Sequence, residues 1–410
     1  MLKRKVLGTF LISCFSLYTS LSFAQSYTLD ECKQMARQNY PSISQYGLIE
    51  KSRDLTVSHE AKAWLPGVSV NGFGVGLTQL LDASPLGQMK DGVYGASLTV
   101  SQMIYDGGAV GAQRRVARAR SEVEMRQTDV LMYDVNERVE QLFFGILMID
   151  EQMKQVELLN DNLTISEKTV RSLMDNGMAN QGDLEQVMVQ QVQAQQRMVG
   201  LRSMRDTYCD MLGYFVGKQV ESLSKPSDTA VGMDVARPEL SLFSAQESLL
   251  AVQKKSLNSR LMPTVSAFGM AAYHNRILPI LKETNLAVGL MVKWNIGALY
   301  TRKNDLASLS NQQKQIDVQR QTFLFNNHMQ QRQTSGEIEA LRRQMTLDDE
   351  ALALRESILE KARKKVEMGT ETVNELLRDV NAVSEAQQQK AIHEIELLQE
   401  INKLSTIIGK

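Results

Sequence analysis

The residues with the most chemistry to offer are four histidines, His59, His274, His328 and His393, and two of the three cysteines, Cys32 and Cys209. Their placement gives them little to do. No two histidines have the short separation of zinc ligands on a helix or hairpin, and neither cysteine has a close cysteine partner. For the thiols the plain reading is burial. A disulfide between Cys32 and Cys209 is the alternative in an oxidising compartment, though sequence does not place them within reach. No phosphate-binding loop, dinucleotide fingerprint or nucleophile elbow is present. The chain therefore reads as a non-enzyme without metal or cofactor, and energy for any work comes from another protein.

The chain begins like an exported one. Lys3, Arg4 and Lys5 precede an apolar run from Val6 to about Phe23, and Ser22-Phe23-Ala24 places small residues where a signal peptidase reads. A signal peptide over residues 1–24 leaves a chain starting at Gln25. Leu11-Ile12-Ser13-Cys14 also resembles a lipobox, which would make Cys14 a lipidated start. Removing Lys3, Arg4 and Lys5 takes 46 basic residues to 43 against 47 acidic ones, a net charge of −4. That balance does not suit nucleic acid. Past the leader there is no apolar run of about eighteen residues, so any membrane span must be made of strands.

Strand patterns occur in two pairs. From Tyr94, Ala96, Leu98, Val100 and Ile104 alternate with Gly95, Ser97, Thr99 and Ser101. Leu286, Val288, Leu290, Val292 and Trp294 do the same against Asn285, Ala287, Gly289 and Lys293. One face suits oil and the other water. Their partners, about Pro66 to Leu77 and Pro263 to Tyr273, alternate less cleanly because glycines interrupt them. Each strand is about 10 to 12 residues, enough for a tilted bilayer crossing. Four strands do not close a barrel, and open edges are not tolerated in hydrocarbon, so the strands must be shared between copies. Three copies would supply twelve, although periodicity alone does not select three.

Helices carry the rest. From about Gly107 to Ser172, Val135, Leu142, Ile149, Val156, Leu163 and Val170 repeat every seven residues, with Val139, Ile146 and Met153 between them. Some 65 residues of helix span roughly 100 Å. Ile338, Met345, Leu352, Leu359 and Val366 repeat the step in a second helix from about Arg302 to Val366. Return helices, about Asp183 to Phe215 and Val373 to Ile407, are half as long. Shorter ones, about Leu29 to Ala63 and Pro238 to Ser259, can complete that length by stacking end to end with them.

The same ordered set of signals thus occurs twice. Trp64-Leu65-Pro66 opens the first strand pair and Leu261-Met262-Pro263 the second; Asn176-Gly177 before Asp183-Leu184 matches Met368-Gly369 before Glu375-Leu376. A first repeat over 25–220 and a second over 238–410 flank a connector at 221–237, which includes Lys225-Pro226-Ser227-Asp228 and lacks apolar periodicity. The stretches around Asp82 to Asp91 and His274 to Thr284, with Pro85 and Pro279, read as hairpin loops, whose place in an outer-membrane barrel is the extracellular side.

These features together resemble the outer-membrane efflux protein family, the TolC-like exit ducts. The likeness runs through Tyr27-Thr28-Leu29-Asp30-Glu31-Cys32, Leu65-Pro66, Tyr105-Asp106-Gly107-Gly108 and both Gly turns. It implies an α+β membrane protein: a homotrimer with a 12-stranded outer-membrane β-barrel, four strands per chain, continued by a periplasmic α-helical coiled-coil barrel with a closable tip. It also implies a periplasmic adaptor and an inner-membrane pump as partners.

In the second copy, Gly369-Thr370-Glu371-Thr372-Val373-Asn374-Glu375-Leu376-Leu377-Arg378-Asp379 is similar to the family's turn and inner return helix, where acidic residues ring the narrowest point. Glu375 falls on the first acidic position, whereas the second holds Arg378, with Asp379 next. Like carboxylates around an axis repel, so closure needs hydrogen bonds or basic partners, and Glu371, Glu375 and Arg378 pairing across subunits are the candidate latch. The turns Asn176-Gly177-Met178-Ala179 and Met368-Gly369-Thr370 need Gly for a positive φ. Met174, Met178 and Met368 would add an adaptable apolar patch for the adaptor's tip. Trp64, Tyr105, Trp294 and Tyr300 cluster at strand ends, as an interfacial belt or as packing at the junction with the helices. The second junction, Trp294-Asn295-Ile296-Gly297-Ala298-Leu299-Tyr300, lacks the first one's Asp-Gly-Gly and implies a differently built bend.

An exit duct for efflux or type I secretion explains strands, helices and duplication together. A periplasmic coiled-coil adaptor or scaffold accounts for the helices but needs a different β-domain. A periplasmic hydrolase needs a catalytic constellation the chain lacks.

Overall fold

The computed structural model describes residues 26–75, 93–227, 235–274 and 284–409. The leader segment 1–24 with Cys14, the whole of the loop expected at Asp82 to Asp91, residues 275–283 of the second loop, residues 228–234 of the connector, and Gly76 and Leu77 of the first expected strand lie outside the described residues.

The chain opens with a two-residue strand β1 (Ser26–Tyr27) and helix α1 (Leu29–Asn39). Thr28 caps α1, accepting from the Glu31 N–H, while the Glu31 carboxylate accepts from the Thr28 N–H at 2.8 Å. The single helix expected from Leu29 to Ala63 is broken. Tyr40 precedes Pro41 and is extended at ψ 131, the conformation a following proline imposes. A 3-10 turn at Pro41–Ile43 follows, then α2 (Ser44–Ala61) and a second 3-10 turn at Lys62–Trp64.

Next come β2 (Gly67–Val75), β3 (Val93–Tyr105), α3 (Ala109–Asp175), α4 (Gln181–Val216) and the two-residue β4 (Ser222–Leu223). The second half repeats the order with α5 (Pro238–Ser259), β5 (Thr264–His274), β6 (Thr284–Lys293), α6 (Ala298–Glu367) and α7 (Val373–Ile408). The 67 residues of α3 and 70 of α6 correspond to about 100 Å each. No described helix is long and apolar enough to cross a membrane.

The expected seam is the core. Val139, Ile146, Leu163 and Val170 are fully buried, and Val135, Leu142, Ile149 and Val156 nearly so. Burying each such side chain contributes about 1.5 to 3 kcal/mol. One cluster gathers α1, the middle of α3, the end of α4 and part of α7 around Phe143, Phe144 and Leu212. The free thiols Cys32 and Cys209 both lie in it, and burial pushes the Cys32 thiol up to about 12. A second cluster joins the far ends of all four long helices.

The short and return helices stack end to end. The Asn39 amide of α1 donates to the carbonyls of Tyr214 and Phe215 at the end of α4, and Tyr40 stacks on Phe215. In the second half the Ala236 N–H donates to the Ile408 carbonyl at the end of α7, and Arg237 to that of Thr406. The pairing of β1 with β4 is parallel and was not foreseen, since two residues carry no periodicity. It ties the chain's start to the connector, which Lys225 fastens to Glu394 of α7 at 2.7 Å.

The four longer strands form one antiparallel sheet in the order β2-β3-β5-β6. Val70 lies opposite Leu98, Leu98 opposite Ala271, and Ala271 opposite Leu286, so the apolar series of all four strands share one face.

Candidate functional site

Two regions stand out: the turns at the far end of the helices and the two-faced sheet. Both turns are built alike. At the first, the Met178 N–H donates to the Leu173 carbonyl and the Gly177 N–H to that of Met174; at the second, Thr370 donates to Lys365 and Gly369 to Val366. This double bond pattern needs a left-handed residue, and Gly177 and Gly369 supply φ of +71 and +70. The Sδ of Met178 lies 3.7 Å from where a Cβ would stand on Gly369, so the side chain of the first turn approaches the second.

Both return helices then start with a capping box. Asn180 and Asp183 exchange bonds of 2.9 and 3.1 Å at the head of α4. Thr372 and Glu375 do the same at the head of α7. Glu375 is therefore a cap as well as the expected gate carboxylate, and hydrogen bonds from the Thr372 N–H and hydroxyl hold its carboxyl below the usual value. The signal, Thr or Asn three residues before an acid, was in the sequence.

The other expected gate residues sit nearby with separate partners. Glu371 is largely buried, its Oε2 3.7 Å from Lys365 Nζ. Arg378 is exposed in an open groove between α4 and α7, lined also by Glu185, Gln186, Val189 and Asn374. Asp379 is half-buried on the next position. Within one chain Glu371 and Glu375 thus pair with Lys365 and Thr372. Of the tip residues expected to be exposed, Met178 and Met368 are 54% and 68% exposed. Met174 instead packs against the shared core. The Asn176 amide donates to the Ser172 carbonyl and the Thr370 hydroxyl to that of Lys365, closing the helix ends.

At the sheet end, two differently built joints lead into the long helices. Asp106, buried, accepts from the Gly108 and Val110 N–H groups at 2.8 and 2.7 Å, with Gly107 and Gly108 both at positive φ. Gly297, in the second joint, has right-handed φ of −57, and a 3-10-like turn from Asn295 starts the helix. Trp64, Tyr105, Trp294 and Tyr300 are all exposed. The Trp294 indole N–H donates to the Leu261 carbonyl and the Trp64 carbonyl accepts from Gln102. These bonds fix the side chain of one tryptophan and the backbone of the other.

On the sheet's apolar face Val68, Val70, Leu98, Val100, Leu286, Val288, Leu290 and Val292 are exposed, Val265 and Ala267 of β5 are half-buried, and no residue among the described ones is charged. The other face is mainly Gly, Ser, Thr, Ala and Asn. No cluster of residues able to hold a metal occurs among the described residues.

Residues 33–209 match the outer membrane efflux protein family. No curated protein matches the chain in sequence. Among solved structures, the outer membrane protein VceC of Vibrio cholerae is similar over 92% of this chain and 96% of its own, with TM-score 0.67 and 13% identity. The transmembrane channel protein CusC is similar over 97% and 96%, with TM-score 0.70 and 15% identity. The CmeC outer membrane channel of Campylobacter jejuni is similar over 93% and 85%, with TM-score 0.66 and 12% identity. At these identities the likeness establishes the fold: mostly helical with a small sheet, as in outer-membrane channels.

Proposed function

Because residues 33–209 match the outer membrane efflux protein family, we propose that the chain is one subunit of a passive outer-membrane exit duct in a tripartite efflux or type I secretion system. The observation that carries this reading is the uncharged, largely exposed apolar face of a sheet continuous with helices of about 100 Å. Such a face is stable against lipid and costly against water.

Closure follows from the strands. Among the described residues β2 and β6 are edges, and in the order β2-β3-β5-β6 they run antiparallel to one another. The β6 of one copy can therefore pair with the β2 of the next, and three copies give a 12-stranded barrel without a free edge. The helices then continue the pore through the periplasm as two tandem repeats per chain, 25–220 and 238–410, joined at 221–237 after a signal peptide at 1–24. Exposed apolar side chains on α6, among them Val318, Phe325, Leu347 and Leu354, supply contact between copies.

The tips do the gating and docking. Arg378, Asp379, Glu371 and Glu375 line the narrow end and pair across copies when it is closed. Met178, Met368, Gly177, Gly369, Asn176, Thr370 and the underlying Met174 meet a periplasmic adaptor, which brings an inner-membrane pump. The tunnel wall selects weakly, so the pump chooses most of the cargo.

The test is direct. Membranes from expressing cells are washed with urea, the protein is purified in detergent, and its mass and bilayer conductance are measured. A urea-resistant trimer of heat-modifiable migration that conducts ions is expected. A soluble periplasmic monomer would sink the proposal and favour a coiled-coil scaffold.

A further inference from the structure

One patch breaks the pattern of the sheet's small and polar face. Phe268 on β5 stands opposite Ser101 of β3 and Gly289 of β6, so its direct neighbours on both sides have almost no side chain. Its ring lies over Gly289, with Cζ 3.2 Å from where a Cβ would stand. One step along the same face, Met103 of β3 and Met291 of β6 flank Ser266, and one step the other way on β5 is Met270. Diagonal neighbours in an antiparallel pair are about 7 to 8 Å apart, within reach of long side chains. In this register Met103, Met270 and Met291 are the long apolar side chains nearest the phenyl ring on this face, and Met291 is 53% exposed. Beyond Met291 on this face lies exposed Lys293. Among the described residues the face carries no carboxylate.

Covering a glycine explains a ring by itself. Phe73 over Gly95, at the opposite end of the same face, has that arrangement without a methionine cluster. Glycine cover does not account for three flexible thioethers near Phe268, which add apolar area to a wall of mainly small side chains. Phenyl and thioether groups together make a polarizable surface that adapts to flat apolar molecules. Lys293 gives that surface a positive pole, and no acid on the face offsets it.

Resting on the reading of this face as the wall of a water-filled duct, we propose that Phe268, Met103, Met270, Met291 and Lys293 form a transient binding collar for aromatic organic anions. The ring system lies on the phenyl and thioethers, and the carboxylate or sulfonate points to Lys293. The collar is repeated in every copy. It makes the duct itself selective for part of its cargo, in addition to any choice made by the pump.

The test uses the full-length channel in planar bilayers, with 2-naphthalenesulfonate added from the barrel side while potassium current is recorded. Ethanesulfonate and tetraphenylphosphonium serve as the non-aromatic anion and the aromatic cation. Naphthalenesulfonate is expected to block the wild type at lower concentration than either comparison ion. Phe268→Leu, which keeps bulk and removes the ring, should weaken the block about fivefold. Lys293→Gln should weaken it about threefold while leaving block by neutral 2-naphthol unchanged. Met291→Ser, at an exposed position, provides a second arm should Phe268→Leu assemble poorly. Equal block in wild type and all variants, or tetraphenylphosphonium blocking as well as the sulfonate, overturns the collar and leaves the duct intact. A wild type that forms no channels removes the duct reading and the collar with it.

Discussion

Glu375 and Thr372 hold each other at the head of α7: one carboxylate oxygen accepts from both the Thr372 N–H and its hydroxyl at 3.0 Å, while the hydroxyl accepts from the Glu375 N–H at 3.3 Å. The carboxylate placed nearest the proposed gate is thus also the clasp of the helix that carries it. Charge and cap are separable by substitution. Thr372→Ala should cost about 1 kcal/mol of local stability, read as faster hydrogen exchange in the first turn of α7. Glu375→Gln, which retains the acceptor, should leave exchange nearly unchanged, whereas Glu375→Ala should speed it. If single-channel conductance rises equally in Gln and Ala variants, charge controls the closed tip; a rise confined to Ala assigns control to the cap.

Acidity acts on the same clasp with a defined sign. Its hydrogen bonds depress the Glu375 carboxyl below the ordinary value of 4.5. A depressed carboxyl stabilises the fold above its unfolded value, and the contribution disappears as pH falls through the folded one. Conductance and tip exchange should therefore stay level from about pH 5 to 8 and rise only below about pH 4. Glu375→Gln should lack this component of the rise. A transition centred near neutrality would exclude Glu375 as its source.

Adjacent glycines at the first joint should respond unequally to the same change. Both have positive φ, but a Cβ on Gly107 would stand 2.5 Å from the Met262 Cβ, whereas Gly108 has nothing within 4 Å. Gly108→Ala should cost about 1 kcal/mol from backbone conformation alone. Gly107→Ala must in addition push the β5 approach aside and should reduce folded protein recovered from membranes. Equal recovery of the two variants would contradict the close packing of the joint.

Side chains that one chain leaves uncovered should matter to assembly. Phe325 and Leu354 on α6 are each 67% exposed. Phe325→Asp and Leu354→Asp should shift the purified species from trimer toward monomer with helix content retained. Light scattering with circular dichroism reads both quantities. An undiminished trimer would place the interface elsewhere.

The large elements were legible because their periods are long and redundant. The seven-residue series through Val135 and Val170 survives any local exception, and Leu98, Val100, Leu290 and Val292 announce their face by simple alternation. Short-range chemistry was harder to read. Pro41 broke a helix expected to run on to Ala63, although the rule for the residue before proline applies there. The Asn180 and Thr372 boxes were passed over, Glu375 having been read for its charge rather than its reach. The β1–β4 pair had too few residues to show a pattern. Met174 shows a further limit: residues next to a turn divide between solvent and core, and spacing from the glycine does not say which.

The approach of Met178 to Gly369 brings the two hairpins together. Leu173, Leu184, Val366 and Leu376 continue that link into one core beneath both. A macromolecule that binds either loop therefore meets a surface backed by both halves of the chain. The halves of the chain, though separated by a connector in sequence, share one packed core at this end.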